Sequence, residues 1–265
     1  MRPRLIFSYG VTKSGSTYAF QICAEALKRA GFAQPRLPAE ILGAARTINA
    51  VEHLTERDLT QIETLASAWS TRLVLKTHTP PDGPVRDWIR SGRAEAHAIY
   101  RDPRDVALSM LDHGRKARAA GRPAFAEFRC FDDTLKGLDN QMVTLAAWLS
   151  LPGTLPLSFE TLTLGHGPAA LLAHHHIPGE AARLCAHVRQ SCFIQYNKGV
   201  QARHGAEMSP QTAARFRARY APFYAWLYPQ PPKNNPVLPP GTPLCAMDNP
   251  PRGHYPQATK GEGRS

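Results

Sequence analysis

Between Leu5 and Leu27 the chain changes its pattern twice, and that change limits what it can fold into. Leu5-Ile6-Phe7-Ser8-Tyr9 is a short apolar run. Gly10-Val11-Thr12-Lys13-Ser14-Gly15-Ser16-Thr17-Tyr18 follows as a loop of two glycines, a lysine and several hydroxyl residues. Apolar residues then recur at helical spacing through Phe20, Ile22, Cys23, Ala26 and Leu27. The pattern predicts a buried strand, a tight loop and a helix. Such a loop aims backbone N–H groups at whatever lies before the helix N-terminus. With the helix dipole behind them and Lys13 beside them, the favoured occupant is a phosphate. Glycines at 10 and 15 allow close backbone approach where a Cβ would intrude. The order Lys13-Ser14-Gly15-Ser16-Thr17 is not the Gly-Lys-Ser/Thr ending of ATP- and GTP-binding loops. Taken alone, the loop leaves a plain strand-to-helix turn open.

The rest of the chain repeats the alternation. Gly31 fits the C-terminal end of the first helix, and residues 33–53 are read as irregular. Thr55-Glu56-Arg57-Asp58 opens a helix to about Ser67 in capping-box style. Arg72–His78 reads as a second buried strand stopped by Pro80-Pro81, and a polar helix with Val85, Trp88 and Ile89 follows. Ala96–Tyr100 is a third strand. It runs into Asp102 as N-cap, Pro103 at the first helical position and Asp105 at the positive end of the dipole. Residues 112–137 are read as a lid or a packed excursion, with a helix over about 141–149 and a fourth strand over Leu155–Phe159. Two short helices are expected near 168–174 and 179–190, and a last one from Ser209 to Trp226. Strand alternating with helix predicts an α/β fold, one domain over residues 1–228 with a central, mostly parallel sheet flanked by helices. Residues 229–265 hold ten prolines and are expected to be an extended or disordered tail. In such sheets ligands sit beyond the carboxyl ends of the strands, where Lys13, Lys76, His78 and Arg101 all fall.

A net charge of +11 favours anionic partners, but the arginines are scattered and no nucleic-acid motif is present, so nucleic acid is not expected. No apolar run approaches the roughly 20 residues of a membrane span, and the chain is expected to be cytoplasmic. The five cysteines lack CxxC spacing and read as reduced, mostly buried thiols rather than a metal or disulfide framework. His97 reads as surface or packing, and His174-His175-His176 as a solvated helix end.

Lys76 and His78 are two apart on a strand, so their side chains share a face. A lysine beside a histidine makes a charge stabiliser and a general base, the lysine favouring a neutral imidazole. A histidine that merely caps a turn is the alternative. Arg101 at a strand end and Ser109 two turns into the next helix could both reach a phosphate over that helix start. Capping and surface charge would account for the same residues.

Three blocks resemble the cofactor motifs of sulfotransferases that use 3′-phosphoadenosine 5′-phosphosulfate (PAPS). Thr12-Lys13-Ser14-Gly15-Ser16-Thr17-Tyr18 is similar to the family's Pro-Lys-Ser-Gly-Thr-Thr-Trp loop. Lys76-Thr77-His78-Thr79-Pro80 resembles its Lys-Thr-His-x-Pro strand end. Arg101-Asp102-Pro103-Arg104-Asp105, with Ser109, resembles Arg-Asn-Pro-Lys-Asp-x-x-x-Ser. Weaker likenesses follow in order: Phe159-Glu160-Thr161-Leu162 to Tyr-Glu-Asp-Leu, Ser191-Cys192-Phe193 to Thr-Ser-Phe, and Asn197-Lys198-Gly199 to Arg-Lys-Gly.

The resemblance covers residues 5–228 and implies a P-loop NTPase-like fold and metal-free sulfuryl transfer from PAPS to a hydroxyl or amine. It casts His78, Lys13 and Lys76 as catalytic. The cofactor would be held by Lys13, Ser14, Gly15, Ser16, Thr17 and Tyr18, then Arg101 and Ser109. Phe159, Ser191, Phe193, Lys198 and Gly199 complete that set. The acceptor would be a small molecule, a glycan or a lipid. Among the departures, Tyr18 stands for Trp, Asp102 for Asn, Phe159 for Tyr and Asn197 for Arg, for which Lys198 and Arg203 are candidate substitutes. A nucleotide kinase on a related fold and a non-catalytic nucleotide-binding module remain as rival readings.

Overall fold

The computed structural model describes residues 2–42, 48–164, 166–191 and 199–228. The chain opens with β1 (Leu5–Gly10), α1 (Ser16–Arg29), α2 (Ala39–Leu42) and α3 (Glu56–Ala68). Next come β2 (Leu73–Thr77), α4 (Gly83–Arg90), β3 (Ala94–Tyr100), α5 (Pro103–Ala119) and α6 (Phe131–Leu149). β4 (Leu155–Ser158), α7 (Phe159–Leu164), α8 (His166–His174) and α9 (Ala181–Ser191) follow. The described part ends with α10 (His204–Glu207), α11 (Pro210–Arg219) and α12 (Ala221–Leu227).

The four strands form one parallel sheet in the order β2-β1-β3-β4. Alternation along β1 divides the core between its two faces. Leu5, Phe7 and Tyr9 pack with Trp88, Leu138, Trp148 and Phe216 on one side. Ile6 packs with Ile22, Leu27, Leu171 and Val188 on the other. Parallel strands covered on both faces read as continuous apolar runs, which is why β1 and β2 were visible in the sequence. The chain passes from β1 to β2 on one side and then crosses to β3 on the other. The strand order thus reverses at β1, and a crevice opens at its carboxyl end.

Local signals decide several boundaries as expected. Thr55 and Asp58 form a reciprocal capping box, and the Asp102 carboxylate accepts from the Arg104 N–H at the start of α5, with Pro103 in the first turn. Other boundaries differ from expectation. Residues 33–53 include the short α2, and α6 starts at Phe131, ten residues early, with Asp133 bonding back to the N–H of Cys130. β4 stops at Ser158, whose hydroxyl accepts from the Thr161 N–H and turns the chain into α7. The expected last helix is two, α11 and α12, interrupted at Tyr220. Cys23 and Cys185 are free and buried. Cys130 is disulfide-bonded. That corrects the expectation of reduced thiols throughout.

His97 proves to be packing rather than surface, and the solvated helix end expected at His174-His175-His176 is overturned at His175. His97 lies inside β3 and His175 just past α8, and both are fully buried. His175 Nδ1 is 2.8 Å from Glu95 Oε2, which also takes Arg72 at 3.0 Å. His97 Nδ1 is 2.8 Å from His175 Nε2, and the Ser8 hydroxyl is 2.8 Å from His97 Nε2. A carboxylate only accepts, so the direction propagates. His175 donates to Glu95, His97 donates to His175, and Ser8 donates to His97. Burial and neighbouring positive groups hold both imidazoles well below the usual histidine range.

Candidate active site

The loop after β1 owes its shape to two left-handed residues, Lys13 at φ 68° and Gly15 at φ 87°. At Gly15 a Cβ would stand 2.8 Å from the Phe159 ring, and at Gly10 it would collide with Ser16. Both glycines are therefore required by contact, and Gly15 by backbone as well. Ser14 faces inward. Its hydroxyl donates to the Val11 carbonyl at 2.6 Å and its N–H to the same oxygen at 3.0 Å. It thus braces the loop rather than facing the space in front of it. The first N–H groups of α1, at Ser16 and Thr17, have no intrahelical acceptor and open toward that space.

At the end of β2, the imidazole of His78 is held by its backbone neighbour. His78 Nδ1 lies 2.6 Å from the Gly10 carbonyl, which can only accept. The proton is therefore on Nδ1, and Nε2 carries a lone pair, 2.7 Å from Lys76 Nζ. A turn-capping histidine would make the first bond but need not stand against a lysine on a cavity wall.

Arg101, at the end of β3, is buried, with its guanidinium 4.1 Å from the centre of the Phe159 ring. One amino group reaches Asp105 at 3.1 Å and the Val200 carbonyl at 2.6 Å. Its Nε is buried without a partner. Burial pushes the Asp105 carboxyl up, but the His204 hydrogen bond and the Arg101 charge outweigh this and hold it at about 2.

These residues line one cavity of about 780 Å³. Lys13, Ser16, Thr17 and Tyr18 join Lys76, His78, Arg101, Ser109 and Phe159 on its walls, with Gly15 and Gly199 completing the positions expected from the sequence. Ser14 and Ser191 do not line it, the first because it is turned into the fold and the second because it ends α9 on the surface. Phe193 and Lys198 lie outside the described residues. Burial, Lys76 and Lys116 together lower the Lys13 ammonium to about 8.

Sequence reasoning missed the rest of the lining: Thr12, His113, Phe125, Thr163, Arg189 and Gln201. Arg189 donates to the Tyr18 hydroxyl at 3.1 Å and to the Thr163 carbonyl at 3.1 Å, and so fixes the aromatic ring at the mouth. Phe125 places its ring 4.5 Å from Lys13 Nζ and edge-on to His113. Its loop is pinned to α5 at Gly114, where a Cβ would collide with the Phe128 carbonyl and stand 2.8 Å from that of Phe125. Arg118 clamps the same loop through the carbonyls of Ala126 and Phe128, each at 2.8 Å. The lone signal was Gly114, a glycine inside a helix without a capping role.

No protein-family profile matches this chain, and no curated protein matches it in sequence. Solved structures share its shape over most of both chains, among them these three. Mouse sulfotransferase SULT7A1 complexed with PAP has a TM-score of 0.54 at 16% identity, over 85% of this chain and 86% of that one. Retinol dehydratase with retinol and PAP gives 0.52 at 14% identity, over 84% and 82%. Retinol dehydratase with androsterone and the inactive cofactor PAP gives 0.51 at 15%, over 91% and 84%. The chain has the sulfotransferase fold.

Within the sulfotransferase fold one of its departures has a structural reason. Asp102 pairs with Arg104 at 2.6 Å and accepts from the Tyr224 hydroxyl at 2.8 Å, tying the start of α5 to α12. Arg203 does not stand in for a missing phosphate ligand. It is buried between Asp112 at 2.7 Å and Glu207 at 2.6 Å, and it locks α10 onto α5. Among the described residues no cluster of three metal-ligating side chains occurs, and no helix is long and apolar enough to cross a membrane.

Proposed function

We propose that the protein is a sulfotransferase that moves the sulfuryl group of PAPS to a hydroxyl or amine, with residues 1–228 as the working unit. The observation that carries this reading is the Gly10–His78–Lys76 arrangement: the proton is fixed on Nδ1, and the basic Nε2 stands beside an ammonium on the cavity wall. The sulfotransferase fold supports it, as does PAP in the similar structures.

The residues present fit the nucleotide. Arg101 offers a buried Nε–H with no partner to a 3′-phosphate, and Ser109 lies on the same wall. The N–H groups of Ser16 and Thr17, with Lys13, suit the 5′ end. Tyr18 and Phe159 offer ring faces to the base. Residues 191, 193, 198 and 199 belong to this set by resemblance. When bound, PAPS supplies a sulfuryl group already activated on a phosphate leaving group. His78 Nε2 takes the acceptor proton, in the place where Lys76 now donates. Lys13 and Lys76 hold positive charge where negative charge develops. Charge handled by lysines and N–H groups assigns no task to a metal.

Calorimetric titration with PAP, ADP, ATP and GTP tests the reading. A clear preference for PAP, which carries the 3′-phosphate, is expected. A preference for ATP with Mg²⁺ would favour the kinase, PAP binding without transfer from PAPS would favour the non-catalytic nucleotide-binding module, and no binding at all would point to a degenerate module.

A further inference from the structure

We infer that Gln201 reads the base of the nucleotide, its side-chain oxygen accepting from the 6-amino group of adenine. The inference rests on the sulfotransferase reading and deepens it. Tyr18, Phe159, Thr163, Arg189 and Gln201 all line the cavity, and hydrogen bonds join them into one group. Arg189 donates to the Tyr18 hydroxyl and to the Thr163 carbonyl, both at 3.1 Å. Phe159 and Thr163 are one turn apart on α7, and the Thr163 hydroxyl lies 2.9 Å from the Phe159 carbonyl. Gln201 reaches the same helix from the segment that precedes α10.

The direction of each bond fixes which polar atom is left for a ligand. Gln201 Nε2 lies 3.3 Å from the Glu160 carbonyl, which can only accept, so the amide nitrogen faces α7. The Thr163 hydroxyl spends its one proton on the carbonyls of Phe159 and Glu160, at 2.9 and 3.1 Å. It therefore accepts from the same amide nitrogen. Oε1 accepts from no described residue, and it is not among the atoms sealed from solvent without a partner. A glutamine that only braced the chain against α7 would need its nitrogen alone. The oxygen is an oriented acceptor on the cavity wall, in a group that includes two aromatic rings. Adenine carries an amino donor at C6, where guanine carries an acceptor oxygen. Two facing oxygens leave each other unpaired, and a site built around one hydrogen bond rejects the analogue that lacks it.

Three nucleotides with identical 3′ and 5′ phosphates test this by calorimetry without metal: PAP, inosine 3′,5′-bisphosphate, and the analogue with hydrogen in place of the 6-amino group. Contacts to the phosphates are common to all three, so ratios of affinity report the base alone. PAP is expected to bind at least about tenfold more tightly than either analogue. Gln201→Met keeps the volume and removes the acceptor, and it should bring PAP and the 6-hydrogen analogue within about twofold of each other. A residue that merely braced the chain would weaken all three ligands by the same factor. Should the Met variant fail to fold, Thr163→Val releases the amide from its fixed orientation and should also lower the ratio. Equal binding of PAP and the 6-hydrogen analogue by the wild-type protein overturns the inference and leaves the sulfotransferase reading standing. So does a folded Met variant with the wild-type ratio. Failure of all three nucleotides to bind removes the sulfotransferase reading and this inference with it.

Discussion

Two histidine arrangements hang from the same face of the sheet, and they differ in where they end. At β2, His78 takes its orientation from the Gly10 carbonyl and leaves Nε2 on a cavity wall beside Lys76. At β3, His97 takes its orientation through His175 from Glu95 and delivers Nε2 to the Ser8 hydroxyl, with both rings fully buried. Ser8 is in register with both Lys76 and His97, so one residue of β1 separates the two. Both imidazoles present the same tautomer. A Ser–His arrangement anchored on a carboxylate has the connectivity of a nucleophilic relay, yet here it is sealed and structural. Hydrogen-bond polarity alone does not make a catalytic group; it must terminate in space that a reactant can enter.

Removing each imidazole separates the two roles most sharply. His78→Ala should lose about 10²–10⁴-fold in turnover with PAP affinity and unfolding free energy nearly unchanged, checked by initial rates and calorimetry on the same preparation. His97→Ala should do the opposite. It opens a cavity and strands Ser8 and His175, costing about 3 kcal/mol in denaturant unfolding, while the folded fraction keeps its turnover. Equal losses in both properties for either variant would collapse the distinction.

Acid should act on the sealed pair next. His97 and His175 have folded pKa values below the unfolded value near 6.5, so below that pH the unfolded chain binds more protons. Stability is thus retained above about pH 6.5 and lost below it, by up to about 2.7 kcal/mol per pH unit for two groups. His174, His176 and Arg72 lie beside the pair, and burial raises the neighbouring Glu95 carboxyl, which opposes the histidine slope at lower pH. A His97→Phe, His175→Phe double variant should flatten the slope. A flat wild-type profile between pH 6.5 and 5 would show that the pair is not held neutral.

The smallest effect expected is at Lys13. Its ammonium should titrate near 8 by NMR in the ligand-free protein, and PAP should bind less tightly as the pH rises through that value. Phe125→Ala admits water to Nζ and should move the titration upward toward the ordinary lysine value. No movement would mean that Lys76 and Lys116, rather than the dry wall, set it.

The cavity side of this comparison was largely legible in the sequence, and the sealed side was not. Lys13, Lys76, His78 and Arg101 stand at strand ends that short-range patterning marks, and the Asp102-Pro103 start of α5 is a local capping signal. His97 and His175 are 78 residues apart and acquire meaning when β3 and α8 pack, which no periodicity encodes. Phe125, His113 and Arg189 entered the site for the same reason, through tertiary approach. The early start of α6 was hidden by Cys130, an unusual cap, and the end of β4 by a serine that turns the chain within one residue.

Gly114 limits how this pocket can be remodelled. The Phe125 loop rests on α5 with backbone oxygens where any Cβ would be. The loop therefore has no room to settle closer, and Arg118 keeps it from drifting outward. An engineer wishing to reshape the pocket gains little by lengthening or shortening that segment. The adjustable parts are the rings at 113 and 125 themselves, two side chains exchanged on a frame that stays put.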